Sequence, residues 1–541
     1  MQILLLMFLA VRVSIPQATP VRIADASCEH CHQQIYRSYL HTPMANASGS
    51  AEGRLIPDTF DHKNSGMEYT LGNSGGIPTL AYRNLHNADM SGKLRLSYSL
   101  GSGHLGVTWL YSLNGYLFES PVAWYAATRS YDMKPGLENA REMPPSLPMQ
   151  SNCLRCHMSA VQPSDSGTIN RYSGLPFLHT EITCESCHGD TAEHVQFNGK
   201  AAVVNPVRLQ PALRDSICIS CHLEGDVTVE RAGNSVLDYR PGQPISKFLA
   251  FYVYAKNNLT ARGVSEVEQL SQSMCKRMSG DRMSCMSCYD PHFTPSPRQR
   301  VAFYRAKCLA CHSDTGFDKS HHPENPDCTS CHMPYKNAQN IPHVAWTDRR
   351  ILRRPDSMTG ERGTDAKREL VPVFSPESTK RDLGMAYYLA LLEGNSGAAP
   401  EALALLLSQK SEIANDKAAL DALGILSLER GDYSTAESCF RRALSIDASD
   451  LTALSDMGTL LAKQGNLTES IAMLKQAFER NRDVAGLAMN LARVECMTGN
   501  VSEVRDTLQS ALIYNSTAKD LLQMMDHSAE CRASGGKAVV Q

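Results

Sequence analysis

The sequence predicts two unlike parts on one chain. The first is loop-rich and mainly α, with a small antiparallel β-insert; the second is an all-α solenoid. Three observations predict this. Fifteen of the 18 Cys lie between Cys28 and Cys331, mostly as C-x-x-C pairs. A stretch inside that region, 51–150, has no Cys and alternates short apolar and polar runs. From about residue 380 the chain turns Ala/Leu-rich, and small residues recur every 34 positions.

A length of 541 residues allows two or three domains. The formal charge of −3 gives no basic excess, so nucleic acid is not an expected partner. Residues 1–26 read as a signal peptide. Met1 to Val11 is an apolar run too short to span a bilayer, the first basic residue is Arg12, and Ala24-Asp25-Ala26 is a cleavage candidate. A periplasmic or extracellular location follows as an expectation.

Residues 27–346 hold the cysteine motifs. Intact C-x-x-C-H occurs six times: Cys28-Cys31-His32, Cys153-Cys156-His157, Cys184-Cys187-His188, Cys218-Cys221-His222, Cys308-Cys311-His312 and Cys328-Cys331-His332. Chance would give far less than one copy. Zinc sites use C-x-x-C pairs in twos, with no requirement for His directly after them. The pentapeptide is instead the attachment site of c-type haem: two thiols bond the vinyl groups and the His ligates iron. Six haems are expected. Because bacterial c-type haem is attached outside the cytoplasmic membrane, the motifs also favour export.

The second axial position decides what each haem does. His or Met there makes an electron carrier, whereas an open position admits a substrate. Twelve further His are enough to close every haem. The distal candidates are His41, Met44, His104, His179, His194, His292, His321, His322 and His343. His62, His86 and His527 read as surface residues.

A seventh motif is broken: Cys285-Met-Ser-Cys288 is followed by Tyr289. Three readings stay open. A seventh haem attaches at Cys285 and Cys288, with His292 or Tyr289 on iron; or the site has lost its haem and its thiols are free, paired together, or paired with Cys275; or Tyr289 marks a modified catalytic haem.

Within 51–150, Leu94–Leu100, Val107–Tyr111 and Tyr116–Phe118 read as strands, and Asn114-Gly115 is a hairpin signal. A helix is expected at Gln33–Leu40. Residues 347–379, with Arg349, Arg350, Arg353 and Arg354, read as a charged linker. In 380–530, Gly424, Gly458 and Ala492 are equivalent. So are Gly431, Gly465 and Gly499, and Ala443, Ala477 and Ala511. This period resembles the tetratricopeptide repeat, carried best by Leu423-Gly424, Gly431-Asp-Tyr433, Ala436, Phe440 and Ala443. Three or four repeats are expected, an early copy starting near Leu383-Gly384.

The region from Cys28 to about Pro355 also resembles multihaem c-type cytochromes of the tetrahaem nitrification-cytochrome type, in versions fused to tetratricopeptide repeats. Several stretches carry the resemblance: the first motif leading through Tyr36 to Met44-Ala45, Gly101-Ser-Gly103, Ser120-Pro-Val-Ala-Trp-Tyr125 leading to Pro135-Gly136, Cys184-Glu-Ser-Cys-His-Gly189 with His194, Cys331-His-Met333-Pro334, and His343 leading to Thr347-Asp348. Two positions depart from it. Tyr289 breaks the motif before Asp290-Pro-His292, and Arg349 stands where relatives often carry His. The resemblance implies extracytoplasmic electron transfer through bis-His and some His/Met haems. The expected partners are a redox donor or acceptor and a protein docked on the repeats. The alternative is a multihaem reductase or oxidase of a small nitrogen or sulfur compound, with one open or unusual haem near Tyr289. A mainly structural role, with the repeats as the function, is the third class.

Overall fold

The computed structural model describes residues 25–87, 90–141, 147–255, 264–313, 325–337, 345–353, 369–374, 378–515 and 518–531. The signal-peptide expectation, His321, His322 and His343 fall outside them. No helix among the described residues is long and apolar enough to cross a membrane.

Between the first and second motifs the chain forms two antiparallel sheets. The strands are Ser48–Ser50 (β1), Asp58–His62 (β2), Met67–Ser74 (β3), Ile77–Asn84 (β4), Ser91–Arg95 (β5), Tyr98–Leu100 (β6), Gly106–Leu113 (β7), Tyr116–Tyr125 (β8), Ser130–Met133 (β9) and Leu147–Pro148 (β10). One sheet runs β2-β3-β4-β5. The other runs β1-β6-β7-β8-β10, with β9 also on β8. They share one core of Met67, Tyr69, Leu71, Trp109, Phe118 and Val122. Fully burying a side chain such as Met67, Leu71 or Phe118 contributes roughly 1.5–3 kcal/mol. Asn114 (φ +52°) and Gly115 (φ +85°) form the two-residue β7–β8 turn, as the sequence predicts. Gly75-Gly76 makes the equivalent β3–β4 turn, a hairpin the sequence reading missed.

Leu94–Leu100, expected as one strand, is two. β5 belongs to the first sheet and β6 to the second. Leu96, buried between them, turns the corner.

The mainly α expectation is not what the described residues of the N-terminal part show. The insert holds ten strands, and several motif helices are a single turn: Ser151–Leu154, Glu185–His188 and Cys328–His332. One turn suffices to set two thiols and the following residue, so nothing in a C-x-x-C-x pattern extends the helix. The first helix is longer than read, Ala26–Tyr39. It takes in the Cys28 motif and kinks at His32 (φ −113°, ψ 37°).

Short strands continue beyond the insert: Ser159–Val161 (β11) on Phe177–His179 (β12), Val227–Glu230 (β13) on Leu249–Tyr254 (β14), and Tyr335–Asn337 (β15) on Ala345–Thr347 (β16). The expected linker is only partly a connector. Its Leu370–Val373 (β17) pairs with β14 as a third strand. Leu370 is buried there, and Pro372 lacks only a donor that an edge strand does not need.

The C-terminal part is four helix pairs and a final helix: Lys380–Leu392 with Ala399–Ser408, Lys417–Glu429 with Tyr433–Ile446, Leu451–Lys463 with Leu467–Arg480, Ala485–Met497 with Val501–Leu512, then Lys519–Asp526. The 34-residue period has a physical basis at two places in each unit. Gly431, Gly465 and Gly499 take φ near +80° to end the first helix. Asp432, Asn466 and Asn500 directly follow, and their side chains accept the third N–H of the next helix. Gly384, Gly424 and Gly458 let that partner helix approach closely: a Cβ on Gly424 would lie 2.4 Å from Phe440, and one on Gly458 2.6 Å from Leu474.

The two parts are not strung loosely. One core runs from Val227, Val229, Ala250 and Tyr252 into Met385, Ala386 and Leu406 of the first repeat. Arg381 bonds Asp416 (2.6 Å) and the Glu230 carbonyl (2.7 Å), and Arg231 bonds Asp382 (2.7 Å). A second contact lies farther along the solenoid. Asn481, fully buried, donates to Gly167 O (2.8 Å) and accepts from Ile169 N–H (3.1 Å). Tyr116 donates to Arg480 O (2.7 Å), and Tyr514 packs edge-on against Tyr116.

Candidate haem-binding motifs

The motifs, scattered along the chain, meet in space. The Cys28 thiol hydrogen-bonds Cys184. Cys187, in the same motif as Cys184, feels the charge of Cys221, and Cys221 hydrogen-bonds Cys156. Cys218 hydrogen-bonds Cys285. Cys288 lies in electrostatic range of Cys275 and Cys311. Cys308 hydrogen-bonds Cys328 and feels Cys288. The motifs therefore neighbour one another in the order 28–184–218–285–308–328, with the Cys153 motif joined at the Cys218 motif; the 184–218 and 285–308 steps are within electrostatic range and the others are direct thiol neighbours. The broken motif is the link between the first four and the last two.

Two imidazole pairs accompany the thiols. His32 and His194 face each other with ring centroids 6.2 Å apart and planes 13° from parallel. His188 and His292 do the same at 6.0 Å and 14°. With their ring nitrogens turned toward one another, two metal–nitrogen bonds of roughly 2 Å each plus the half-widths of two five-membered rings would span about this distance.

The outer ring nitrogens are mostly held. His194 Nδ1 meets Ala201 O at 2.7 Å, and His188 Nδ1 meets Val204 O at 2.8 Å. Asp290 Oδ1 lies 3.8 Å from His292 Nδ1. A carbonyl on Nδ1 fixes the proton there and leaves Nε2 as the ligand atom. His332 Nδ1 meets Leu352 O (2.7 Å), and His157 Nδ1 meets Ala47 O (3.3 Å). Burial, then the neighbouring His188, hold His292 below the ordinary imidazole range despite Asp290. Burial likewise lowers His157. Neutral rings are what a metal requires. The residues present thus fit c-type haem: paired thiols, an adjoining imidazole, and for two motifs a second imidazole opposite.

Burial pushes the Cys187 thiol up to about 11, and burial with the nearby Cys328 pushes Cys308 up to about 12. These are not exposed, acidic thiols of the kind that catalyse exchange.

The other candidates are placed less tellingly. His41 and His104 are exposed, and Met44 is half-buried in the turns after the first helix. His104 lines an open cavity of about 430 Å³ with Arg54, Trp109 and Trp124. His179 is half-buried in β12, opposite Ser159. His222 and His312 are exposed motif residues. His86 and His527 are exposed as read, but His62 is not a surface residue. It is buried, with one ring nitrogen on Ser65 Oγ (2.8 Å) and the other on Glu138 O (3.0 Å), so neither is left for a metal.

Tyr289 also has a defined setting. Arg349 donates from Nε to its phenol oxygen at 2.9 Å, and the guanidinium carbon lies 5.8 Å from the ring centroid. The sequence noted Tyr289 and Arg349 separately. Nothing in it showed that they touch.

The motifs carry the residue pattern of covalent haem attachment, and the C-terminal part is a helical repeat. The family model described as Cytochrome c554 and c-prime matches residues 123–189, which include the Cys153 and Cys184 motifs. The model described as Tetratricopeptide repeat matches residues 427–485. The chain thus joins a segment similar to cytochrome c554 and c-prime to a segment of tetratricopeptide repeats. No curated protein matches it. Among solved structures, one of Pseudomonas aeruginosa pilF is 19% identical, with a TM-score of 0.25, over 28% of this chain and 68% of that one. One of MamA 41-end from Desulfovibrio magneticus RS-1 is 19% identical, with a TM-score of 0.25, over 28% of this chain and 84% of that one. The cytochrome segment implies haem c and electron transfer, and the repeats imply protein–protein contact.

Proposed function

We propose that the chain is an exported electron-transfer protein whose six intact motifs each hold one haem c. The attachment residues are the twelve motif cysteines, and the proximal ligands are His32, His157, His188, His222, His312 and His332. Bound haem supplies one-electron redox chemistry. The chain's own residues set the spacing of the groups, hold the axial imidazoles in one tautomer, and limit water access. The observation that carries this reading is that motifs scattered along the chain come together, with the thiols of Cys28 and Cys184, Cys156 and Cys221, Cys218 and Cys285, and Cys308 and Cys328 beside one another. Adjacent attachment points put successive redox groups side by side, as a relay needs. His194 and His292 would hold the haems of the Cys28 and Cys184 motifs from the side opposite His32 and His188. The solenoid, anchored at two places on the haem-bearing part, holds a donor, an acceptor or an assembly partner at a fixed position.

Export is supported by two features. Thioether haem is made outside the cytoplasm, and Cys496 and Cys531 form a disulfide, a bond that persists in oxidising compartments.

A reductive titration of the purified full chain tests the relay. All haems should fill from one donor and empty into one external acceptor without a trapped fraction. A stably isolated subset would refute it. His292→Ala should open one haem, so that the reduced variant binds one more carbon monoxide per chain than wild type. The second reading, a reductase or oxidase of a small nitrogen or sulfur compound, is favoured by one observation: the only motif lacking His sits in the middle of the series. Turnover of nitrite or hydroxylamine by the reduced protein would select it.

A further inference from the structure

Resting on the haem reading above, we infer that Cys285 and Cys288 hold a seventh haem, whose iron is ligated by the Tyr289 oxygen with Arg349 as its positioning residue.

The frame of the broken motif is intact. Cys285–Ser287 forms one helical turn, closed by Tyr289 N–H on Cys285 O at 3.1 Å. His188 N–H closes the Cys184 motif on Cys184 O at 2.9 Å. Tyr289 therefore leaves the backbone where the motif His leaves it. The thiols are equally in place: Cys285 hydrogen-bonds Cys218, and Cys288 sits among Cys275, Cys308 and Cys311. Each thiol can add across one vinyl double bond, sulfur to one carbon and hydrogen to the other. No atom is lost and no oxidant is needed.

The choice of ligand follows from what surrounds the turn. His292, the nearest imidazole in sequence, faces His188 and belongs to the Cys184 motif. Among the described residues next to the turn in sequence, that leaves the phenol. Oxygen from Tyr is an established kind of haem ligand. An Arg–Tyr contact alone is an ordinary surface pair, but this one is braced from several sides. Arg349 Nη1 donates to Thr347 O (3.1 Å) and lies 3.8 Å from Glu266 Oε1. The Arg349 backbone N–H donates to Gln269 Oε1 (2.8 Å), and Gln269 is buried. Tyr304 packs edge-on against the Tyr289 ring at 6.4 Å. One donor on the phenol oxygen leaves a lone pair for iron, and the guanidinium charge balances an anionic ligand there. A haem of this kind in mid-series would differ in potential and spin from the bis-imidazole haems proposed at the Cys28 and Cys184 motifs.

The test begins with the mature full-length protein, alkylated, digested and read by mass. Seven haems per chain are expected, with the 285–288 peptide carrying one. Alkylation of both Cys285 and Cys288, with the six other motif peptides haem-bearing, overturns this inference and leaves the relay standing. Loss of haem from all seven peptides would sink both. Electron paramagnetic resonance is the second arm. Wild type should show one high-spin ferric signal of Tyr–oxygen type per chain. Tyr289→His should convert it to low spin, Tyr289→Phe should abolish it, and Arg349→Leu should shift it at constant haem count. A signal unchanged in Tyr289→Phe with seven haems present would also overturn the assignment.

Discussion

Asp421 shows what one buried charge does to the repeats. Burial, then the neighbouring Asp450, push its carboxyl up to about 9, with Lys417 pulling the other way. Burial raises Glu495 to about 7 as well. A raised carboxyl binds a proton in the folded state that the unfolded chain has released. Stability therefore falls as pH rises from the unfolded value, near 4, through the folded one. Each pH unit inside that window costs up to about 1.4 kcal/mol per group. The melting temperature of the repeats should drop from pH 5 to pH 8, and Asp421→Asn should raise it at pH 8 and flatten the slope. Equal slopes in variant and wild type would refute the assignment. At this scale the sequence is legible where the signal is local. A thiol pair and its His are written in five consecutive residues. The pairing of His188 with His292, or of Tyr289 with Arg349, depends on distant segments meeting, and no spacing encodes it.

Elements repeat the same division. Gly431, Gly465 and Gly499 with their following Asp or Asn announce the helix ends, so the solenoid was readable to its earliest copy at Leu383-Gly384. Gly424→Ala should cost about 1–3 kcal/mol by forcing Phe440 aside, measured by urea unfolding; a neutral outcome would mean the helix pair has slack. The last repeat carries a feature the period did not foretell, the Cys496–Cys531 bond, which closes a 35-residue separation. Cys496→Ser should lower stability by about 3–4 kcal/mol on the loop-entropy estimate, with the largest loss of amide protection in Lys519–Asp526. The β-insert holds more strands than the three the sequence suggests. Its first hairpin has fewer aromatic and β-branched residues than β7 and β8, and Leu94–Leu100 looks continuous because a sheet corner leaves the alternation of side chains nearly intact.

For the molecule as a whole, the repeats and the N-terminal part are joined at two places. Asn481→Ala would leave Ile169 N–H and Gly167 O unpaired in a buried contact, at a cost of about 1–3 kcal/mol. Amide exchange should then rise in both 165–171 and 478–484. A rise confined to the solenoid would show that the contact transmits nothing. Neither contact was visible in sequence, because each joins segments far apart in the chain whose residues are ordinary taken singly.

The β-insert leaves and rejoins the chain at one place. Ser48 donates to His157 O at 3.0 Å and also contacts Thr180 O, which holds the start of the insert against the segments that follow it. The haem-bearing segments therefore close across its base without passing through its tip at Gly75-Gly76, where added atoms would meet open space. A fluorescent reporter or an affinity handle spliced between these two glycines should leave the haem count and the optical spectrum as they are. If the chain is the relay proposed above, that position offers a tether by which it can be fixed to an electrode.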